Sequence, residues 1–217
     1  MTHLAHPYAI AMALATAALA APAAQAVTWP DFAQFDTSSS SSTLVLVHAL
    51  PVAGIDGPAP LLSATATRWA DGQAVAVGAV RRWTLATRGS HAARLGLGGG
   101  LDHYRSRAVG DDTRRTGASL RAQAEMDGSL SSGAPEVRYY TLAQASSFRE
   151  GWFLSGQLSM PGAGAGLELS RYGDRGYHAT TATLRLPLGA PGWSLRLGTV
   201  RDSDGRRAVL GLGWNGF

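Results

Sequence analysis

From Thr43 onward, apolar residues recur at every second position, which is the period of a β-strand rather than of a helix. Leu95, Leu97, Gly99 and Leu101 fall on one face, and Arg94, Gly96, Gly98, Gly100 and Asp102 on the other. The division repeats in Leu120, Ala122, Ala124 and Met126 against Arg121, Gln123 and Glu125. It recurs in Ala182, Leu184 and Leu186 against Thr183 and Arg185, and in Trp193, Leu195 and Leu197 against Ser194, Arg196 and Gly198. Short Gly, Asp and Pro clusters separate these runs, among them Ala70-Asp71-Gly72, Arg88-Gly89-Ser90, Gly173-Asp174-Arg175-Gly176 and Ser203-Asp204-Gly205. Glycine reaches positive φ without strain and proline fixes φ, so tight hairpins are predicted between neighbouring strands. With no helical period between them, the strands form an all-β, antiparallel, up-and-down meander. Counting back from the C terminus gives about ten strands from Leu61 and leaves Leu44 to Val52 as an extra strand-like run; about twelve is the even-numbered alternative.

Composition decides which face points inward. Hydrophobic residues make up 45% of the 217 positions and charged residues only 16%. A soluble barrel would carry charged and long polar side chains on its outer face, whereas here the polar face is mostly Gly, Ser, Thr and isolated Arg or Glu. Small residues and paired charges suit a narrow lumen, with the Leu, Val and Ala face against lipid. The expected fold is therefore a closed transmembrane β-barrel. Aromatic residues near strand ends suggest interfacial belts, with Tyr104, Trp152, Tyr172 and Tyr177 in one and Trp193 and Trp214 in the other. All basic residues are Arg and the formal charge is +4, but the arginines are scattered, so nucleic acid is not an expected partner. Cysteine is absent, which removes disulfides, thiolate metal sites and a lipidated N-terminal Cys.

The N-terminal Tyr8 to Ala21 run is apolar and is followed by Pro22 and by Ala24-Gln25-Ala26, a small-residue cleavage pattern. A membrane-spanning helix needs about 20 apolar residues, and Pro22 interrupts this run first. Residues 1–26 are thus expected to be a signal peptide cleaved after Ala26. Residues 27–42, ending in a Ser/Thr run, are expected to be a periplasmic linker, and 43–217 the barrel domain.

The chain closes on Leu210-Gly211-Leu212-Gly213-Trp214-Asn215-Gly216-Phe217, and here it resembles the Gram-negative outer-membrane β-barrel proteins, whose last strand ends in an aromatic residue. The resemblance implies residence in the outer membrane, with outer-membrane lipid as surroundings. It also implies that Phe217 is the signal read by the barrel assembly machinery. The apolar residues lie out of phase with that Phe, and a bulge near Gly216 would restore the register. A periplasmic C terminus places the turns at 149–151, 173–176 and 202–206 outside the cell.

The candidate functional residues are the polar-face charges Arg94, Asp102, Arg121, Glu125, Glu168, Arg185 and Arg196, which either neutralise one another or line a passage favouring anions. Gly98-Gly99-Gly100 precedes no helix, so it reads as bare backbone against which a bulky neighbour packs. Asp102 and His103 alternate to opposite faces. Asp174 and His178 flank an outer turn and form the one acid–histidine pair a hairpin could bring together. The histidines lack metal-ligand spacing, no Gly-x-Ser-x-Gly elbow occurs, and neither a metal nor another cofactor is expected. The expected function is non-enzymatic: a narrow passage, or a structural and docking element, serving solute or surface-polysaccharide transport, with cargo unspecified. Two alternatives stand beside it: an outer-membrane enzyme acting on lipid or peptide at the outer rim, and a soluble periplasmic β-barrel binding a small apolar ligand.

Overall fold

The computed structural model describes residues 30–50, 58–108, 111–131 and 135–216. The expected signal peptide and Phe217 lie outside these residues. The strands are β1 (Phe32–Thr37), β2 (Ser41–Ala49), β3 (Leu61–Trp69), β4 (Gly72–Arg88), β5 (His91–Ala108) and β6 (Asp111–Ser129). They continue as β7 (Arg138–Ser146), β8 (Trp152–Met160), β9 (Ala165–Asp174), β10 (Tyr177–Pro187), β11 (Trp193–Asp202) and β12 (Gly205–Asn215). Each pairs antiparallel with its neighbour in sequence, and β1 pairs with β12, closing a barrel of 12 strands.

The expected linker over 27–42 is corrected, because the barrel begins at Phe32. Phe35 stands opposite Leu44 of β2 and Leu212 of β12. The Ser/Thr run is a hairpin: the Ser38 hydroxyl accepts the Ser40 and Ser41 N–H groups at 3.3 and 3.2 Å, and Thr43 meets the Thr67 hydroxyl at 3.2 Å. A hydroxyl-rich run cannot fill an apolar core, but it can face a polar lumen. These two strands raise the count from about ten to twelve.

Alternation sorts the side chains cleanly. Leu97, Leu101, Leu120, Leu167 and Leu169 point outward and are exposed, while Arg121, Glu125, Glu168 and Arg196 are buried inside. Among the described residues the buried hydrophobic set is only Val80 and Val209, so no dry apolar core exists to hold a soluble barrel together. Apolar surface this extensive on the outside finds its favourable contact in acyl chains.

The expected aromatic belts are partly overturned. Trp152, Trp193 and Trp214 share the outward parity of Leu154, Leu195 and Leu212. Tyr104 shares the face of Asp102, Tyr172 that of Glu168, and Tyr177 that of Thr183, so these three line the mouth from inside. Proximity to a strand end does not determine the face; parity does.

Candidate functional site

The interior charges gather on two walls and at one mouth. On the first wall, Arg196 of β11 reaches sideways to β1 and β9. Its Nε donates to Asp36 Oδ1 at 2.8 Å, Nη1 to Glu168 Oε2 at 2.9 Å, and Nη2 to Asp36 Oδ2 and the Thr183 hydroxyl at 3.2 and 3.3 Å. Arg196 is only 2% exposed, and a guanidinium so enclosed persists because carboxylates answer it on both sides. Arg185 stands directly across from Arg196 on β10 and lies over Gly166, where a Cβ would sit 3.0 Å from its Nη2. It feels the attraction of Glu168 and the repulsion of Arg196, and its Nε has no hydrogen-bond partner among the described residues.

The second wall spans β3 to β6. Arg121 donates to Asp102 at 3.2 Å, to the Val77 carbonyl at 3.3 Å and to the Ser63 hydroxyl at 3.4 Å. Arg82 pairs with Glu125 at 3.3 Å, Arg94 bonds Asp127, Gln123 donates to Glu125, and Ser119 donates to Asp102. Arg121 lies flat across glycine: a Cβ on Gly100 would come within 2.7 Å of its Nη2, and one on Gly78 within 2.7 Å of its Cζ. The Gly-rich run of β5 therefore supplies bare backbone for a guanidinium, as its isolation from any helix suggests.

The mouth opposite the chain termini is dressed by Arg149. The Ser147 to Gly151 connection contains a 3₁₀ turn over Phe148–Glu150, in which Arg149 and Glu150 take φ of 55° and 54°. Left-handed backbone is costly for such residues, and here it aims Arg149 into the barrel. The guanidinium lies 3.8 Å over the Tyr104 ring and donates to Asp174 at 3.0 Å. Although burial works against the charge, the hydrogen bond and charge of Asp174 hold Arg149 above the ordinary arginine value. Tyr172 also donates to Asp174 at 3.1 Å, and Tyr177 to Asp202 at 3.0 Å, with Arg207 on the same Asp202 carboxylate. Trp69 completes the ring, 5.6 Å from Tyr104.

The named lumen residues thus all lie on the inner face: Arg94, Asp102, Arg121 and Glu125 on one wall, Glu168, Arg185 and Arg196 on the other. The pattern of one strand at a time does not reveal Asp36, Arg82, Asp127 or Arg149, since Asp36 falls in the expected linker, Arg149 in an outer turn, and Arg82 within β4 and Asp127 near the end of β6 lie outside the alternating runs. Asp174 and His178 border the same rim recess but share no hydrogen bond among the described residues. Asp174 faces inward, bonded to Arg149 and Tyr172, while His178 pairs in register with Gly173 and points outward. A shallow recess of about 410 Å³ at this rim is lined by Trp152, Arg171, Gly173, Asp174, Tyr177 and His178. Both oxygens of the Asp174 carboxylate are taken up by Arg149 and Tyr172, so no acid–base pair forms in it. Among the described residues no group of His, Asp and Glu is arranged to hold a metal ion.

A closed antiparallel barrel of 12 strands with leucines outside and compensated charges inside is a transmembrane β-barrel of the outer-membrane class. In fold it is similar to the KdgM porin, with a TM-score of 0.50 and 11% identity over 85% of this chain and 97% of that one. The outer-membrane protein Omp33 of Acinetobacter baumannii aligns with a TM-score of 0.48 and 11% identity, covering 86% of this chain and 98% of the other. A KdgM porin in complex with disordered oligogalacturonate aligns with a TM-score of 0.46 and 12% identity, covering 85% and 97%. No protein-family model and no curated protein matches the sequence.

Proposed function

We propose that the chain is a non-enzymatic outer-membrane barrel offering a narrow passage to small polar solutes of little net charge. The observation that carries this reading is the pairing of the inner-face charges. Arg82, Arg94, Arg121, Arg149, Arg196 and Arg207 each meet a carboxylate, and Arg185 lies in the field of Glu168. An arginine already answered by an acid contributes little net potential along the lumen, so neither sign of ion is strongly favoured. An acidic oligosaccharide, such as the oligogalacturonate bound by the KdgM porin, would need cations with free forks. The ion pairs of each wall join strands that are near neighbours around the ring, which supports a gap between the walls rather than a plug. In the expected orientation the termini are periplasmic and the Arg149 mouth faces outside.

The test is conductance of the purified full-length protein in a planar bilayer. Small steps with a reversal potential near zero in a KCl gradient are expected. Marked anion selectivity would overturn the neutral-solute reading, and an electrically silent bilayer would leave only a structural or docking role.

A further inference from the structure

The outward face carries a second set of arginines that the passage does not use. In β9 to β12, Arg171 stands opposite Thr180, Thr180 opposite Arg201, and Arg201 opposite Arg206. In β2 to β6, Ser42 stands opposite Arg68, Arg68 opposite Gln73, Gln73 opposite Arg105, and Arg105 opposite Arg114. Each run is a row across adjacent strands near the mouth opposite the chain termini, climbing by about 3 Å per strand because the strands tilt by about 40°. Parity places both outside, because Arg201 shares the face of Leu197 and Trp193, Arg206 that of Leu210, and Arg105 that of Leu101.

Two features set these rows apart from ordinary surface charge. Arg201 and Arg206, and likewise Arg105 and Arg114, are directly cross-strand, where Cβ atoms lie about 4.5–5.5 Å apart and like charges repel. Neither row contains a carboxylate, and among the described residues Arg68, Arg105, Arg114 and Arg201 have no acidic partner. The interior mostly follows the opposite rule: Arg82, Arg94, Arg121, Arg149, Arg196 and Arg207 are each answered by an acid, while Arg185 and Arg115 are not joined to one among the described residues. Repulsion left in place twice near one mouth calls for an anion from outside the chain.

Height says which anion. Arg201 is about eight residues along β11 from the outward Trp193, roughly 26 Å at ~3.3 Å per residue and ~20 Å once strands tilt by about 40°. That is close to the apolar thickness of an outer-membrane barrel, so the Arg201–Arg206 pair lies at headgroup level with leucines below it, and the Arg105–Arg114 pair stands near the same mouth. Arg171 lies 5.7 Å over the Trp152 ring, an interfacial cation beside an interfacial aromatic.

We infer that the two outward rows dock the phosphate groups of a phosphorylated lipid in the leaflet opposite the chain termini. Opposed guanidinium forks can share one phosphate, each through parallel N–H to oxygen bonds. The test titrates full-length protein in zwitterionic micelles with fluorescent lipid A, and separately with inorganic phosphate. Wild type is expected to bind lipid A in preference to an uncharged lipid. R201Q/R206Q and R105Q/R114Q are each expected to weaken that binding by about tenfold or more. R201K/R206K, which keeps the charges but loses the paired N–H donors, should bind between wild type and the Gln variant, and R88Q, at the end of β4 nearer the other mouth, should change nothing. Binding by the quadruple Gln variant equal to wild type overturns the inference, as does displacement of lipid A by millimolar inorganic phosphate. Should a Gln variant fail to fold, salt decides on wild type alone: lipid A affinity must fall steeply from low to high ionic strength, and salt-independent binding overturns the docking.

Discussion

Arg121 rests on Gly100 as on a flat floor, its Nη2 occupying space that any Cβ at that position would claim at 2.7 Å. The contact fixes where the guanidinium lies and therefore which carboxylate it meets. Gly100→Ala is expected to destabilise the barrel by about 1–3 kcal/mol through overpacking, although Ala is otherwise the smallest of changes. Gly156→Ala, with open space around its position, is expected to be nearly neutral. The temperature at which the unheated, fast-migrating gel band disappears reports both.

Arg196 is the most enclosed cation of the interior, and Asp36 and Glu168 are its acids. Arg196→Met should cost about 3–5 kcal/mol, because it leaves two enclosed carboxylates without a counter-charge. Adding Asp36→Asn and Glu168→Gln to the same variant should return much of the loss. Equal stability of single and triple variants would show that the charges are not coupled.

Arg149 narrows the mouth by leaning on Tyr104 and Asp174. Arg149→Ala removes the side chain and leaves Asp174 with Tyr172 alone, so single-channel conductance should rise and the lumen should turn weakly cation-selective. Unchanged conductance would place the narrowest point elsewhere.

Glu150 and Arg175 form an exposed ion pair above that mouth. The Arg175 hydrogen bond and charge hold the Glu150 carboxyl below its ordinary value. A depressed folded value means that the pair's contribution is present above the unfolded carboxyl pKa and is lost as pH falls through the folded one. Amide exchange in residues 147–151 should therefore, after correction for intrinsic rates, stay constant from pH 7 to pH 5 and increase only in more acid solution. Glu150→Gln should abolish that acid step.

Much of this was legible in the chain itself. Period-two alternation yields the strands, and the poverty of charge on both faces yields the inverted barrel, since leucines of β5, β6 and β9 are spread outside it. The inner position of Arg94, Asp102, Arg121, Glu125, Glu168, Arg185 and Arg196 follows from parity alone. The same parity, applied to Tyr104, Tyr172 and Tyr177, would have placed them inside as well; judging them by nearness to a turn sent them to the lipid. The Ser/Thr run hid β1 and the start of β2, whose Leu44 onward reads as strand-like, because hydroxyls are a poor sign of a packed core and a good sign of a wet one. The partners of Arg196 were beyond local reading, for Asp36 lies at the other end of the chain and meets it only after closure.

The seam between β1 and β12 sets the order of events in assembly. Until Gly205–Asn215 is delivered beside Phe32–Thr37, the chain is an open ribbon with two raw borders, each bearing unsatisfied peptide groups that oil cannot solvate. Insertion and closure of that seam are therefore coupled, and a chain lacking β12 is expected to fail to insert.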